Sequence, residues 1–446
     1  MAKKLPKKYR KNTNKRIRRA QYSAFIAVLF FGFILSWILT LRPTSSAAEK
    51  RELSKFPKFS FSSFCSGDYF DAIDLWFSDT FPLREALVTA NGKFQSLYGF
   101  GNRIYGLSEK ADAIPESAET ASAEPAEKKL PAEIVDDIGG ALDKEIGVVE
   151  DLGTLIVIDD SAYEVFNFNQ SVADRYAATV NRVAADLDGT SKVYDIIVPT
   201  AIDITMPDKE RAKCNSSSQA DAIRYIHSAM SEQVGCINVY NAIRSHRSEY
   251  VYFRTDHHWT ALGAYYAYQS ICEAIGIPAK DLKKDFTEYV FDGFLGSFYS
   301  ESGKNPALGD HRDTVYAYDP IGETTLTYYT KNGQAQEWKV IGDVTGWDST
   351  TLYSTFIGGD YPYTHITNAS TDSSRSCLVI KESFGNALVP FLAANYSEIH
   401  VVDYRHWSGS IQSFAAENQV DDILFVNNVS AVRSSSLMRA LDAIAY

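Results

Sequence analysis

Twenty consecutive residues without a charge, Tyr22 to Leu41, set the first limit on this chain. At about 1.5 Å of rise per residue, a helix of this length matches the roughly 30 Å hydrocarbon core of a bilayer. The run exceeds the apolar stretch of a secretory leader, about 7–15 residues. The sequence therefore predicts a retained transmembrane helix over residues 22–42. A cleaved leader is the competing reading, since Pro43-Thr-Ser-Ser-Ala-Ala-Glu offers small residues where a peptidase would cut.

Residues 1–21 contain ten Lys and Arg and no acid. The chain as a whole has 44 basic and 56 acidic residues, so removing those ten leaves 34 against 56, a net charge of −22. Basic flanks stay on the cytoplasmic side of a membrane. The expected arrangement is a basic cytoplasmic tail at 1–21, one crossing of the cell membrane, and everything after Arg42 outside the cytoplasm. The adjoining apolar run assigns the basic tail to the lipid surface, so no nucleic-acid partner is expected. Cys65, Cys214, Cys236, Cys272 and Cys377 lack metal-type spacing. Cys272 and Cys377 sit in apolar runs. Cys214 and Cys236 are the pair able to form a disulfide in an oxidising compartment.

Past the anchor, Phe70, Ile73, Trp76 and Phe77, then Leu83, Leu87 and Phe94, follow helical spacing. Residues 43–107 are read as a helical juxtamembrane neck. Residues 108–132 are Ala, Glu, Ser and Pro with almost no large apolar side chains, a composition that cannot bury enough surface to order itself. A flexible linker or surface insertion is placed at 108–149. From 150 to 446 the chain alternates apolar strand-like runs (154–158, 193–198, 377–380, 399–402, 423–426) with helical patterns. Such alternation predicts an α/β domain with a mostly parallel sheet covered on both faces. Polar–aromatic alternation between 312 and 357 predicts a β-rich insertion, placed at about 304–376.

Three segments carry candidate chemistry. In Asp256-His257-His258-Trp259, residues i and i+2 of an extended segment point the same way. Asp256 and His258 are then positioned as an orienting acid and its imidazole, with His257 pointing away. Thr260 is the expected N-cap of the helix that follows. In Leu378-Val-Ile-Lys-Glu-Ser383-Phe-Gly385-Asn386, an apolar strand runs into Ser383 and then a helix. The N–H groups of Phe384 to Asn386 are expected to face outward, where they would stabilise an oxyanion. Ser383 does not stand in a GxSxG elbow, which counts against an α/β-hydrolase. The third segment, Asp403-Tyr404-Arg405-His406-Trp407, follows a strand at the carboxyl edge, where open α/β sheets bind ligands. Arg405 is read there as a sugar ligand, a loop-positioning group or one half of an ion pair.

These residues resemble the DHHW protein family, which is similar to the alginate O-acetyltransferase group of the SGNH-hydrolase-like superfamily. The resemblance rests on TDHHWTALGAYYAY (255–268), YDIIVPT (194–200) and IKESFGNALVPFLAANYSEIHVVDYR (380–405), with WFSDTFPLRE (76–85) and YSTFIGGDYP (353–362) beside them. It implies an SGNH-hydrolase-like three-layer α/β/α fold. It also implies a Ser383 nucleophile, a His258 base and an Asp256 acid, acting without a cofactor. Gly385, Asn386, His257 and Arg405 complete the candidate oxyanion- and substrate-binding set. The implied activity is O-acyl transfer, most simply O-acetylation, to an exported polysaccharide or cell-envelope glycan, with a membrane-bound O-acyltransferase as partner and acyl source. An esterase using the same triad, and a non-catalytic glycan-binding partner, are the alternatives. Two positions depart from the pattern: Glu382 stands where relatives carry Asp before the Ser, and Asp360 where Asn is expected. A metal phosphoesterase reading of Asp256-His257-His258 is set aside, because no second cluster of obvious ligand spacing accompanies it.

Overall fold

The computed structural model describes residues 146–446 without a break and only short pieces between 42 and 142. The basic tail and the apolar run to Leu41 lie outside the described residues, as does most of 82–132. Among the described residues no helix is long and apolar enough to cross a membrane. The chain divides into two units, 1–93 and 94–446. In the first, Arg42 lies over the Trp76 ring, 4.1 Å from its centroid, and donates to Thr80 Oγ1 at 2.7 Å. The described positions 69, 70, 73, 76 and 77 are helical.

The second unit is built on an eight-stranded sheet. Ahead of it, β1 (Val149–Asp151), β2 (Leu155–Ile158) and β3 (Ser161–Glu164) form a small antiparallel sheet. Then follow α1 (Gln170–Asp186), β4 (Lys192–Val198), α2 (Gln219–Ser228), β5 (Val234–Cys236) and α3 (Ala261–Ile275). The hairpin β6 (Phe286–Phe294) and β7 (Asp313–Pro320) stands apart as its own sheet. Next come β8 (Thr324–Tyr329), β9 (Ala335–Trp338), β10 (Tyr363–Asn368), β11 (Ser376–Lys381), α4 (Gly385–Leu392), β12 (Glu398–Asp403), α5 (Ile411–Glu417), β13 (Asp422–Asn428) and α6 (Ser435–Asp442). The order across the main sheet is β9-β8-β10-β12-β11-β13-β4-β5.

From β12 to β5 all pairs are parallel; β10, β8 and β9 extend the edge antiparallel. The parallel strands read as unbroken apolar runs because both faces are covered, and every residue of β11 and β13 is buried. The chain moves one way from β11 to β12 and the opposite way from β12 to β13 and from β4 to β5. Right-handed crossovers then put α4 on one face and α5 and α2 on the other. Helix α1 packs with α2, α5 and α6, and α3 packs on α4, giving three layers. The cap of α1 is Asn169, which accepts from Val172 N, and its buried stripe of Val172, Tyr176, Val180 and Val183 follows helical period.

Several boundaries differ from the sequence reading. The β-rich region begins at Phe286 rather than 304, since Phe286 to Phe294 bury only three of nine residues and carry little strand pattern. Its later strands are not a detached insertion, because β8, β9 and β10 continue the main sheet. Within the 108–149 stretch, Ile134 is buried, Val135 N donates to Asn241, and Leu142 N donates to Asp208. These described pieces are therefore bound to the body. Cys214 and Cys236 are thiols and do not form a disulfide.

Candidate active site

Ser383 lies two residues past the end of β11, and α4 begins at Gly385. The chain turns sharply there. Gly385 N bonds Glu382 O at 3.0 Å, and Asn386 N bonds Ser383 O at 3.2 Å. A Cβ on Gly385 would come within 2.6 Å of the Lys381 side chain, so the turn requires glycine.

The segment 254–258 is a run of bends closed by a single bridge between Tyr252 and Trp259, not an extended strand. One buried carboxylate organises it. Asp313, at the start of β7, accepts from Tyr250 Oη at 2.5 Å, from Thr255 N at 2.8 Å and from Thr255 Oγ1 at 2.6 Å. Arg254 adds N–H and guanidinium contacts to the same group. Five separate donors on one buried acid hold the loop in a conformation that its own residues do not encode. Trp259, fully buried, ties this loop to the serine turn by donating to Phe384 O at 2.9 Å.

The result is a continuous line of hydrogen bonds. Asp256 Oδ1 accepts from His258 Nδ1 at 2.5 Å and from His258 N at 2.9 Å. His258 Nε2 lies 2.8 Å from Ser383 Oγ, across 125 residues of chain. With Nδ1–H given to Asp256, the Nε2 lone pair faces the serine hydroxyl. The second Asp256 oxygen accepts from Ser297 N at 2.7 Å. Gly296 permits this approach, since a Cβ there would fall 2.1 Å from the Asp256 side chain. Burial by itself pushes the Asp256 carboxyl up. The charges of His258 and His257, with the His258 and Ser297 N–H donors, outweigh it and hold the group below the usual carboxylate range.

Tyr353 covers the His258 imidazole face to face, with centroids 3.9 Å apart and planes 11° off parallel. Its hydroxyl donates to Ser383 O at 3.1 Å. Burial, with Asp256, Glu382 and Asp360 nearby, raises the Tyr353 pKa well above its ordinary value, so it stays a neutral donor.

His257 does not point away. In the bent loop its ring lies 3.8 Å from that of His258, and its Nδ1 meets Ser297 Oγ at 2.7 Å. Burial, then repulsion from His258, lowers its pKa. Nor do the N–H groups of Phe384 to Asn386 face outward. Phe384 N donates to Glu382 Oε2 at 3.0 Å, and the other two close the turn.

Glu382 acts as a brace. Its Oε1 accepts from Asn428 N at 2.9 Å at the end of β13, and its Oε2 is 3.3 Å from Ser383 Oγ. Asn428 N therefore anchors the serine turn to the neighbouring strand.

Arg405 sits in an ion cluster beneath the turn. Lys381, buried, donates to Asp360 at 3.0 Å and to Asp403 at 3.1 Å. Arg405 grips Asp403 through Nε at 2.8 Å and NH2 at 2.6 Å, and reaches Asp360 at 2.9 Å. Asn386 spends its Nδ2 on Asp360 at 2.9 Å. Two cations thus face two carboxylates. Desolvation would raise Asp360, but Arg405, Lys381 and Asn386 hold it far below the usual range. An amide at 360 would leave a buried lysine and an arginine sharing one carboxylate, so the acid at this position is explained by charge balance.

The sequence matches the profile of the DHHW protein family over residues 49–138 and 127–402. This chain is a DHHW family protein. Among solved structures, a DHHW family protein from Eubacterium siraeum is 27% identical, with a TM-score of 0.61 over 66% of this chain and 97% of that one. Bacillus cereus PatB1, solved with a sulfonyl adduct, is 19% identical, with a TM-score of 0.53 over 64% of this chain and 98% of that one. No curated protein matches the sequence. In both comparisons about two thirds of this chain covers nearly the whole of the relative.

What sequence reasoning missed in this DHHW protein is the support. Asp313, Gly296 and Ser297 carry no motif, and each acts through a contact across a long sequence separation. Tyr353 lay within a resembling block, but only its stacking on His258 gives it a role.

Proposed function

We propose that this DHHW protein is a serine acyl-transfer enzyme, an O-acyltransferase that modifies an exported polysaccharide or cell-envelope glycan from a membrane-anchored position. The observation that carries the reading is the 2.8 Å contact between His258 Nε2 and Ser383 Oγ, with Asp256 on the far side of the ring. The serine hydroxyl has two acceptors, and the shorter contact to His258 is favoured over Glu382 at 3.3 Å.

Ser383 Oγ attacks the acyl carbonyl carbon while its proton passes to His258 Nε2. Asp256 stabilises the imidazolium that forms. The proton then goes to the leaving group, and an ester links the acyl group to Ser383. A sugar hydroxyl, deprotonated by His258, attacks that ester, takes the acyl group and restores the serine. The carbonyl oxygen needs donors as it becomes negative. Since the next three N–H groups are engaged, the Ser383 N–H is the backbone donor beside the nucleophile.

The test is covalent labelling of the full chain by a fluorophosphonate or a sulfonyl fluoride. Ser383→Ala should abolish labelling, and undiminished labelling would remove the assignment. Incubation with an activated acetyl ester and a glycan acceptor then separates transfer from hydrolysis. Acetylated glycan supports a transferase, while free acetate alone gives the esterase. A membrane-bound O-acyltransferase as acyl source belongs to the same proposal and is tested by co-purification from membranes.

A further inference from the structure

On the edge half of the sheet, away from the serine, three metal-ligating side chains converge. His365 of β10 and His400 of β12 are direct cross-strand partners, so their rings share one face. Glu398 lies two residues before His400 and joins that face. The rings of His365 and His400 stack 5.0 Å apart at 8°. His365 Nε2 meets Glu398 Oε1 at 2.7 Å, and His400 Nε2 lies 3.6 Å from the same oxygen. One ligand atom from each of the three residues lies within 4.8 Å of the other two.

We propose that His365, Glu398 and His400 form a divalent transition-metal site, best suited to Zn2+, with its fourth position open to water.

A histidine–glutamate pair on a sheet surface needs no ion. His400 distinguishes this cluster. Its Nδ1 is engaged by Tyr363 Oη at 2.8 Å. If Nδ1–H is the donor, the tautomer leaves the Nε2 lone pair bare. That Nε2 is buried and has no hydrogen-bond partner, in a residue only 2% exposed. A buried acceptor without a donor is costly, and a cation aimed at by the neighbouring His365 and Glu398 resolves it.

The chemistry and access also fit. Two imidazoles and one carboxylate are a common zinc donor set, with metal–ligand distances of about 2.0–2.2 Å. Phe414 of α5 walls one side, 5.1 Å from the His400 ring in an edge contact. His365 and Glu398, with side chains 31% and 43% exposed, leave the other side open to solvent. An ion there would clamp β10 onto β12. Strand β10 leads directly out of the loop that holds Tyr353 and Asp360, so the clamp would stiffen the support of the serine site.

The experiment strips the full chain with a chelator and titrates it with Zn2+ against a chromophoric competitor. One Zn2+ per chain is expected. Glu398→Gln and His365→Ala, both partly exposed and safe for folding, should each weaken binding by at least about tenfold. Ser383→Ala should bind Zn2+ as the parent does, whatever its labelling shows, so the metal site and the acyl-transfer reading fail separately. Parent-like affinity in both ligand variants would overturn the proposal. So would loss of binding in His257→Gln instead, which would put the ion at the other histidine pair.

Discussion

The molecule contains two clusters made from the same parts, two histidines and one carboxylate, and they are wired for different chemistry. In Asp256-His257-His258 the carboxylate holds Nδ1 of one ring, and Nε2 of that ring meets a serine hydroxyl. In His365-Glu398-His400 a tyrosine holds Nδ1 of the buried ring, and Nε2 lies 3.6 Å from the Glu398 carboxylate without a hydrogen-bond partner. A lone pair facing an O–H is positioned to take a proton. A lone pair facing an empty corner beside a second imidazole and a carboxylate is positioned to take a cation. Residue type does not separate the two sites; the partner of the second ring nitrogen does.

The largest test of that contrast is Asp256→Asn. The amide keeps the shape but donates to Nδ1 rather than accepting from it, which turns the His258 tautomer around. Labelling of Ser383 should fall by about 10^3–10^4-fold with folding intact. A loss below tenfold would mean that the carboxylate does not govern the ring. Zn2+ affinity should be unchanged in the same variant.

Gly296→Ala comes next. Its new Cβ would collide with Asp256 at 2.1 Å and must displace the acid. We expect a loss of about 10^2-fold in labelling rate from the misplacement, with a smaller change in thermal stability. A crystal structure of the variant with Asp256 unmoved would contradict this.

Tyr353→Phe keeps the stack on His258 and removes the bond to Ser383 O. The expected cost is about 1 kcal/mol of stability and less than tenfold in labelling. Tyr353→Ala, which also uncovers the ring, should do clearly more; equal effects would show that the stack contributes nothing.

The smallest effect is on acid stability. The folded Asp256 carboxyl is held below its unfolded value of about 3.9. Its contribution is therefore fully present above that pH and is lost as pH falls through the lower folded value. Chemical denaturation from pH 5 downward should show a shallower acid limb in Asp256→Asn than in the parent.

Much of the fold could be read from the sequence because parallel strands buried on both faces appear as plain apolar runs, as in Lys192–Val198 and Ser376–Lys381. Strand Phe286–Phe294 escaped because it is half-exposed and interrupted by Gly293 at a bulge. Asp256, His258 and Ser383 could be nominated from motif and resemblance. Asp256 and His258 meet through a bent loop held by Asp313 rather than through strand alternation, and the same bend turns His257 inward. The cluster at His365 was invisible, since His365 sits 33 residues from Glu398 in a separate strand.

The sequence by itself determined the alternation of strands and helices, the Ser383 turn and the chemical types available near it, because apolar period and local turn chemistry are short-range properties. Tertiary structure alone decided which nitrogen faces which partner. Those partners arrive from Ser297, Tyr353, Tyr363 and Asn428, and only strand order and buried hydrogen bonding bring them within 3 Å or so of the histidines and the serine turn.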